Sequence, residues 1–246
     1  STPLYSSAAS DVYKRQRWYF GHDEKAMTAA AKRGFQVFVG QGRCVSCHTI
    51  DQSSAIFTDN RFHNIGVGVN AIQEDAPGLA RKFLEAKAAG RDVDQAVLQD
   101  KKASQLGRFA VTDDITQIGA FKTSTLRNIA VTAPYFHDGS VKTLLEVVKH
   151  YNNGGFLPPH KEANDFLSGG IRPLHLSDQQ MRDLVVFLEA LTSPQYAALA
   201  KKVGPQNSGL SAAELGPLEH QLALIDEGSA PPATLAIVSN DNHRQQ

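Results

Sequence analysis

Apolar residues recur along this chain at helical spacing, and no alternation of period two persists anywhere, so the pattern predicts an all-α fold. Over residues 23–38, Met27, Ala31, Gly34, Phe35 and Phe38 fall on one stripe, and Asp23 stands where an N-cap belongs. Gly34 weakens such a helix and marks a close crossing by another. A partner is available at residues 177–191. Ser177 and Gln180 have capping-box spacing there, and Met181, Leu184, Val185, Leu188 and Leu191 form one face. Thr143 and Glu146 open a further helix, with Leu144, Val147, Val148 and Tyr151 at i, i+3, i+4 and i+7; Asn152-Asn153-Gly154-Gly155 ends it. Residues 71–105 are rich in alanine and charge, and predict a helical hairpin broken near Gly90, a solvated insertion. Residues 194–203 and 211–226 predict two last helices. The second opens on a Ser211/Glu214 box and carries Leu215, Leu218, Leu222 and Ile225 on one side.

The chain of 246 residues carries 25 basic and 25 acidic side chains, a formal net charge of zero. The basic residues do not cluster, which argues against nucleic acid as a partner. No apolar run approaches the length of a membrane span. Residues 1–16, with Ser6-Ser7-Ala8-Ala9-Ser10-Asp11-Val12-Tyr13-Lys14-Arg15-Gln16, resemble a translated adaptor scar and are set apart from the fold, in which case the natural N-terminus is missing. Residues 17–203 form the expected main domain. Residues 204–246 form a helical extension and a tail, disordered from about residue 228 on its Pro, Ser, Asn and Gln content.

The chemistry concentrates in Cys44-Val45-Ser46-Cys47-His48. Two thiols three positions apart, followed at once by an imidazole, suit covalent attachment of haem c: each thiol adds to one vinyl group and His48 becomes the proximal axial ligand. These are the only two cysteines, so no disulfide elsewhere competes for them. A thioredoxin-like redox pair would call for a βαβ pattern, which is absent, and a structural zinc site for two more ligands at short spacing.

A second axial ligand is harder to find. Met27 and Met181 both lie on packing stripes of helices. Tyr151 points inward from its helix, and its hydroxyl must find a partner, either a backbone carbonyl or ferric iron. His150 lies about 100° further round the helix and faces elsewhere.

Phe121-Lys122-Thr123-Ser124-Thr125-Leu126-Arg127-Asn128-Ile129-Ala130, followed by Thr132-Ala133-Pro134-Tyr135-Phe136-His137-Asp138-Gly139-Ser140, resembles the C-terminal haem domain of the bacterial di-haem cytochrome c peroxidases. Their relatives include the di-haem enzyme that matures the tryptophylquinone of methylamine dehydrogenase. The resemblance runs from about Gly34 to Leu191 and takes in Leu106-Gly107-Arg108-Phe109. It implies a cytochrome c-like helical haem domain. The family's peroxidases place a methionine where this chain has Tyr151, and the quinone-maturing relative places a tyrosine there, so the resemblance turns the balance for Tyr151 towards distal ligation of iron. It also implies a Ca2+ ion at the interface of two haem domains, held in part by the backbone carbonyls of Thr132 and Pro134. Arg127 and His137 are expected at haem propionates or the interface, in structural roles, and Trp18 in packing.

In this family peroxide is reduced at an N-terminal haem with its own CxxCH motif, and this chain has one such motif. The expectation is therefore the electron-handling half of a di-haem, peroxidase-type oxidoreductase. Its donor would be a small cytochrome c or a cupredoxin, and its location the periplasm, where bacterial c-type haem is attached. A stand-alone mono-haem electron carrier is the alternative, and a zinc-binding protein without redox chemistry a third.

Overall fold

The computed structural model describes Trp18 and residues 23–51, 55–157 and 165–215. The expected N-terminal scar at residues 1–16, the last helix beyond Leu215 and the tail lie outside the described residues.

Helix α1 (Ala29–Val39) packs lengthwise on α7 (Asp178–Glu189), the most extensive helix pair of the described residues. The stripe read from the sequence is the buried one: Ala31, Gly34, Phe35 and Phe38 from α1 meet Leu184, Val185, Phe187 and Leu188 from α7. Phe187 rings against both Phe35 and Phe38, with centroids at 5.6 and 5.2 Å. Each such phenyl group contributes about 1.5–3 kcal/mol by leaving water. A Cβ at Gly34 would stand 2.0 Å from the carbonyl oxygen of Asp183, so the close crossing requires glycine.

The start of α1 corrects the sequence reading. Thr28, not Asp23, is the N-cap; its hydroxyl accepts from the amide of Ala31. The Asp23 carboxylate is taken by a local turn, accepting from the amide of Lys25. Both residue types cap helices, and the turn decides between them. Trp18 packs edge-on against Phe35 at 5.3 Å, the packing role expected of it.

Capping boxes form at Ser177/Gln180 for α7 and at Thr143/Glu146 for α6 (Leu144–Asn152), as the spacing predicts. Residues 71–105 are helical but are not a solvated spacer. Helices α2 (Ala76–Ala88), α3 (Val93–Gln99), α4 (Lys101–Ser104) and α5 (Phe109–Thr112) enclose a second core. Ala80, Phe83, Ala96, Ala103, Leu106, Phe109 and Ile118 meet in it. Their apolar positions are spread over short elements, so no single stripe announces them. Gly90, at φ 86°, makes the expected break between α2 and α3.

A two-residue ribbon pairs β1 (Phe62–His63) antiparallel with β2 (Phe121–Lys122), too short to register as a strand pattern and no change to the all-α class. Pro194–Tyr196 is a 3-10 turn, and α8 (Ala197–Ser208) continues it past the predicted end, with Pro205 inside the helix. The Ser211/Glu214 box opens α9 (Ala212–Leu215). Asn128 ties the long central block to the end of α7: its side-chain oxygen accepts from the amide of Ser193 at 2.7 Å, and its own amide donates to the carbonyl of Leu191.

Candidate functional site

Cys44–Ser46 forms one 3-10 turn a short loop after the end of α1 at Val39, and Cys47 and His48 follow it. Gly42 donates to the carbonyl of Val37, and the amide of His48 donates to the carbonyl of Cys44, which folds the motif back on the helix end. Both thiols are free and half-buried. Burial pushes the Cys44 thiol up to about 12 and also raises Cys47, so both are held as neutral thiols.

The His48 ring lies with Nδ1 2.8 Å from the carbonyl oxygen of Phe57. A carbonyl only accepts, so Nδ1 carries the proton, and the ring also lies within hydrogen-bonding reach of the backbone of Ser124. Burial lowers the His48 pKa, which keeps the ring neutral and able to coordinate a metal. Phe57 is fully buried against Phe38 and sits at φ 53° in the left-handed region.

Helix α6 brings Tyr151 to the same place. Burial raises its phenol pKa, and the sulfurs of Cys44 and Cys47 lie near enough that a thiolate there would raise it further. Its ring meets Phe136 edge-on at 6.5 Å. No described residue hydrogen-bonds its hydroxyl. Tyr135 is the contrast: its hydroxyl donates to the carbonyl of Ile129 at 3.1 Å, the ordinary fate of an inward-facing tyrosine. His150 faces elsewhere, as its helical position predicts. It is nonetheless buried, with Nε2 2.7 Å from the carbonyl of Ile65. Met27 and Met181 are both buried in the α1–α7 core.

The structure therefore brings Cys44, Cys47, His48 and Tyr151 together and leaves the calcium candidates apart. Thr132 and Pro134 are exposed on a turn. Ca2+ takes six to eight oxygen ligands. The only cluster of potential metal-ligating side chains among the described residues is Cys47, Asp59 and His63, with His63 Nε2 2.8 Å from Asp59 Oδ2. His137 stacks on Phe121 with centroids 3.5 Å apart and meets the side chain of Gln105 at 2.9 Å. Arg127 donates twice to the carbonyl of Ala55. A cleft of about 320 Å³ opens elsewhere, among Asn60, Arg61, Asn64, Arg108 and Gln117, and no residue of the Cys44–His48 motif lines it. Phe57 and Ala55 were beyond sequence reasoning, because each contributes a backbone carbonyl.

No family model matches the chain. It is 35% identical over 179 residues to the cytochrome-c peroxidase IdrP1 of Denitromonas iodatirespirans, a match covering 72% of this chain and 43% of that protein. It is also 35% identical over 175 residues to the methylamine utilization protein MauG of Methylorubrum extorquens, covering 71% of this chain and 38% of the relative. The chain belongs to the di-haem cytochrome c peroxidase family. It spans about two fifths of the length of these two relatives. The crystal structure of a MauG-like protein associated with microbial copper homeostasis aligns over 73% of this chain and 48% of the other, at 29% identity and a TM-score of 0.50. The cytochrome c-like helical fold expected from the resemblance is thus the fold of the family. No described helix is long and apolar enough to cross a membrane.

The residues present fit the family's haem. Two neutral thiols, the neutral imidazole that follows them and a phenol that no described residue hydrogen-bonds lie near one another. A zinc site would need ligands the described residues do not add: the cluster around Cys47 excludes Cys44 and His48.

Proposed function

We propose that this chain is the haem-binding, electron-transferring domain of a di-haem peroxidase-type oxidoreductase. It would relay electrons from a small donor protein, a c-type cytochrome or a cupredoxin, to a peroxide-reducing haem in an upstream domain. Haem c supplies a one-electron iron couple when bound. Cys44 and Cys47 are the residues that would hold it covalently, with His48 as proximal and Tyr151 as distal ligand.

The observation that carries this reading is the Tyr151 hydroxyl, hydrogen-bonded by no described residue and close to the motif's sulfurs. That oxygen is not among the fully enclosed unpartnered atoms, so it is open to a ligand, and a metal cation would take it as phenolate. The hard anionic oxygen would favour ferric iron and so lower the potential relative to a thioether. His48 contributes a neutral nitrogen oriented by the Phe57 carbonyl, which strengthens it as a donor. The resemblance alone supports Ca2+ at the Thr132 and Pro134 carbonyls, as an ion completed by another domain. Periplasmic location rests on the same resemblance.

A peroxidase of this kind consumes one peroxide, two protons and two electrons per two waters formed, so a single one-electron centre is half of what the reaction asks. The test is the contiguous upstream coding sequence. A second CxxCH motif within about one domain length supports the di-haem reading. Its absence favours a stand-alone mono-haem electron carrier.

A further inference from the structure

Four consecutive backbone carbonyls downstream of the motif each receive a side-chain donor. The carbonyl of Ala55 accepts from Arg127 Nε at 3.0 Å and Nη2 at 2.8 Å. That of Ile56 accepts from Thr125 Oγ1 at 2.7 Å. That of Phe57 accepts from His48 Nδ1 at 2.8 Å. That of Thr58 accepts from Thr49 Oγ1 at 2.8 Å. Thr58 returns a bond of its own, its hydroxyl donating to the carbonyl of Thr123 at 2.7 Å, and the amide of Phe57 donates to the carbonyl of Thr49.

The geometry points to Thr125 and Arg127 as positioning residues for His48: they fix the 55–58 strap so that the Phe57 carbonyl is aimed at the imidazole. The strap needs such fixing. Phe57 sits at φ 53°, a conformation a bulky side chain adopts only when its surroundings impose it. The two residues before it are gripped by donors 69 and 72 residues further along the chain. The charged, two-pronged contact from Arg127 is the stronger kind, because a guanidinium presents parallel donors in a fixed plane.

This assignment rests on the reading of His48 as an iron ligand. A hydrogen bond from Nδ1 to a well-placed carbonyl makes the imidazole a better donor and favours ferric iron. Loosening the strap lengthens that bond and frees the ring to turn, so the potential rises.

The test uses the haem-loaded protein and its Thr125→Val, Thr125→Ser and Arg127→Lys variants. Three properties are read: the reduction potential, the paramagnetically shifted proton resonances of the His48 ring in the ferric state, and the thermal midpoint. Thr125→Val is expected to move the potential upward and displace the ring resonances, Arg127→Lys to do the same, and Thr125→Ser to return both towards the parent. If Arg127→Lys does not fold, the two Thr125 variants decide. A lowered thermal midpoint with potential and resonances unmoved would make the contacts merely structural and overturn the assignment. A parent protein with no shifted His48 resonances would instead remove the haem reading, and the positioning role with it.

Discussion

Gly34 and the carbonyl of Asp183 meet without room for a methyl group: a Cβ on Gly34 would stand 2.0 Å from that oxygen and 2.7 Å from the Cβ of Phe187. The contact sets how closely α1 approaches α7, and α1 leads by a short loop into the cysteine motif. A Gly34→Ala substitution therefore separates the two helices even though alanine favours helix. Chemical denaturation is expected to show a loss of about 1–3 kcal/mol, the range for overpacked cores. A gain in stability would mean the crossing is loose.

One face of the same helix pair is closed by charge. Arg33 donates through Nε and Nη2 to the two carboxylate oxygens of the buried Asp183, at 2.7 and 2.8 Å. Asp183 keeps a bond from Gln179 at 3.1 Å if Arg33 is removed. Arg33→Ala is thus expected to cost about 1–3 kcal/mol in denaturant titration, the penalty of an under-satisfied buried acceptor. A change within ±0.5 kcal/mol would show the pair to be a solvated surface contact.

What the sequence made legible was local. The boxes at Ser177/Gln180 and Thr143/Glu146 span three residues each, so spacing alone reveals them. Tyr151 was placed inward by the period of its helix, but only the structure shows that its hydroxyl lacks the acceptor Tyr135 has. The strap was illegible for the opposite reason. Ala55, Ile56 and Phe57 act through their carbonyls, which every residue has, and their donors lie far along the chain. The second core escaped notice because Phe83, Phe109 and Ile118 come from separate short elements.

Glu189 is buried near the end of α7 with neither carboxylate oxygen hydrogen-bonded among the described residues, and Gly204 of α8 lies over it. Burial raises its pKa from the ordinary 4.5 to about 7. Folding therefore favours the protonated form. The stability this confers is whole below pH 4.5 and is lost as pH rises to about 7, because the unfolded chain gains by ionising. Glu189→Gln removes the dependence. The variant's unfolding free energy should match the parent's near pH 4 and exceed it at pH 8, by up to roughly 3 kcal/mol if the full shift is expressed. Parallel pH profiles for parent and variant would contradict this.

Tyr151→Phe keeps the ring against Phe136 and deletes the oxygen. If that oxygen is an axial ligand, the visible spectrum changes and the reduction potential rises, because a hard anionic donor to ferric iron is gone. An unchanged spectrum would return Tyr151 to packing alone.

The proposed covalent haem at Cys44 and Cys47 underlies the functional reading, and the pyridine haemochrome spectrum of protein produced together with a cytochrome c maturation system measures it directly. The account predicts a c-type spectrum with both vinyl groups saturated, an intact mass raised by one haem, and loss of both signals in the Cys44→Ala/Cys47→Ala variant. Colourless protein at the mass of the bare chain would contradict it.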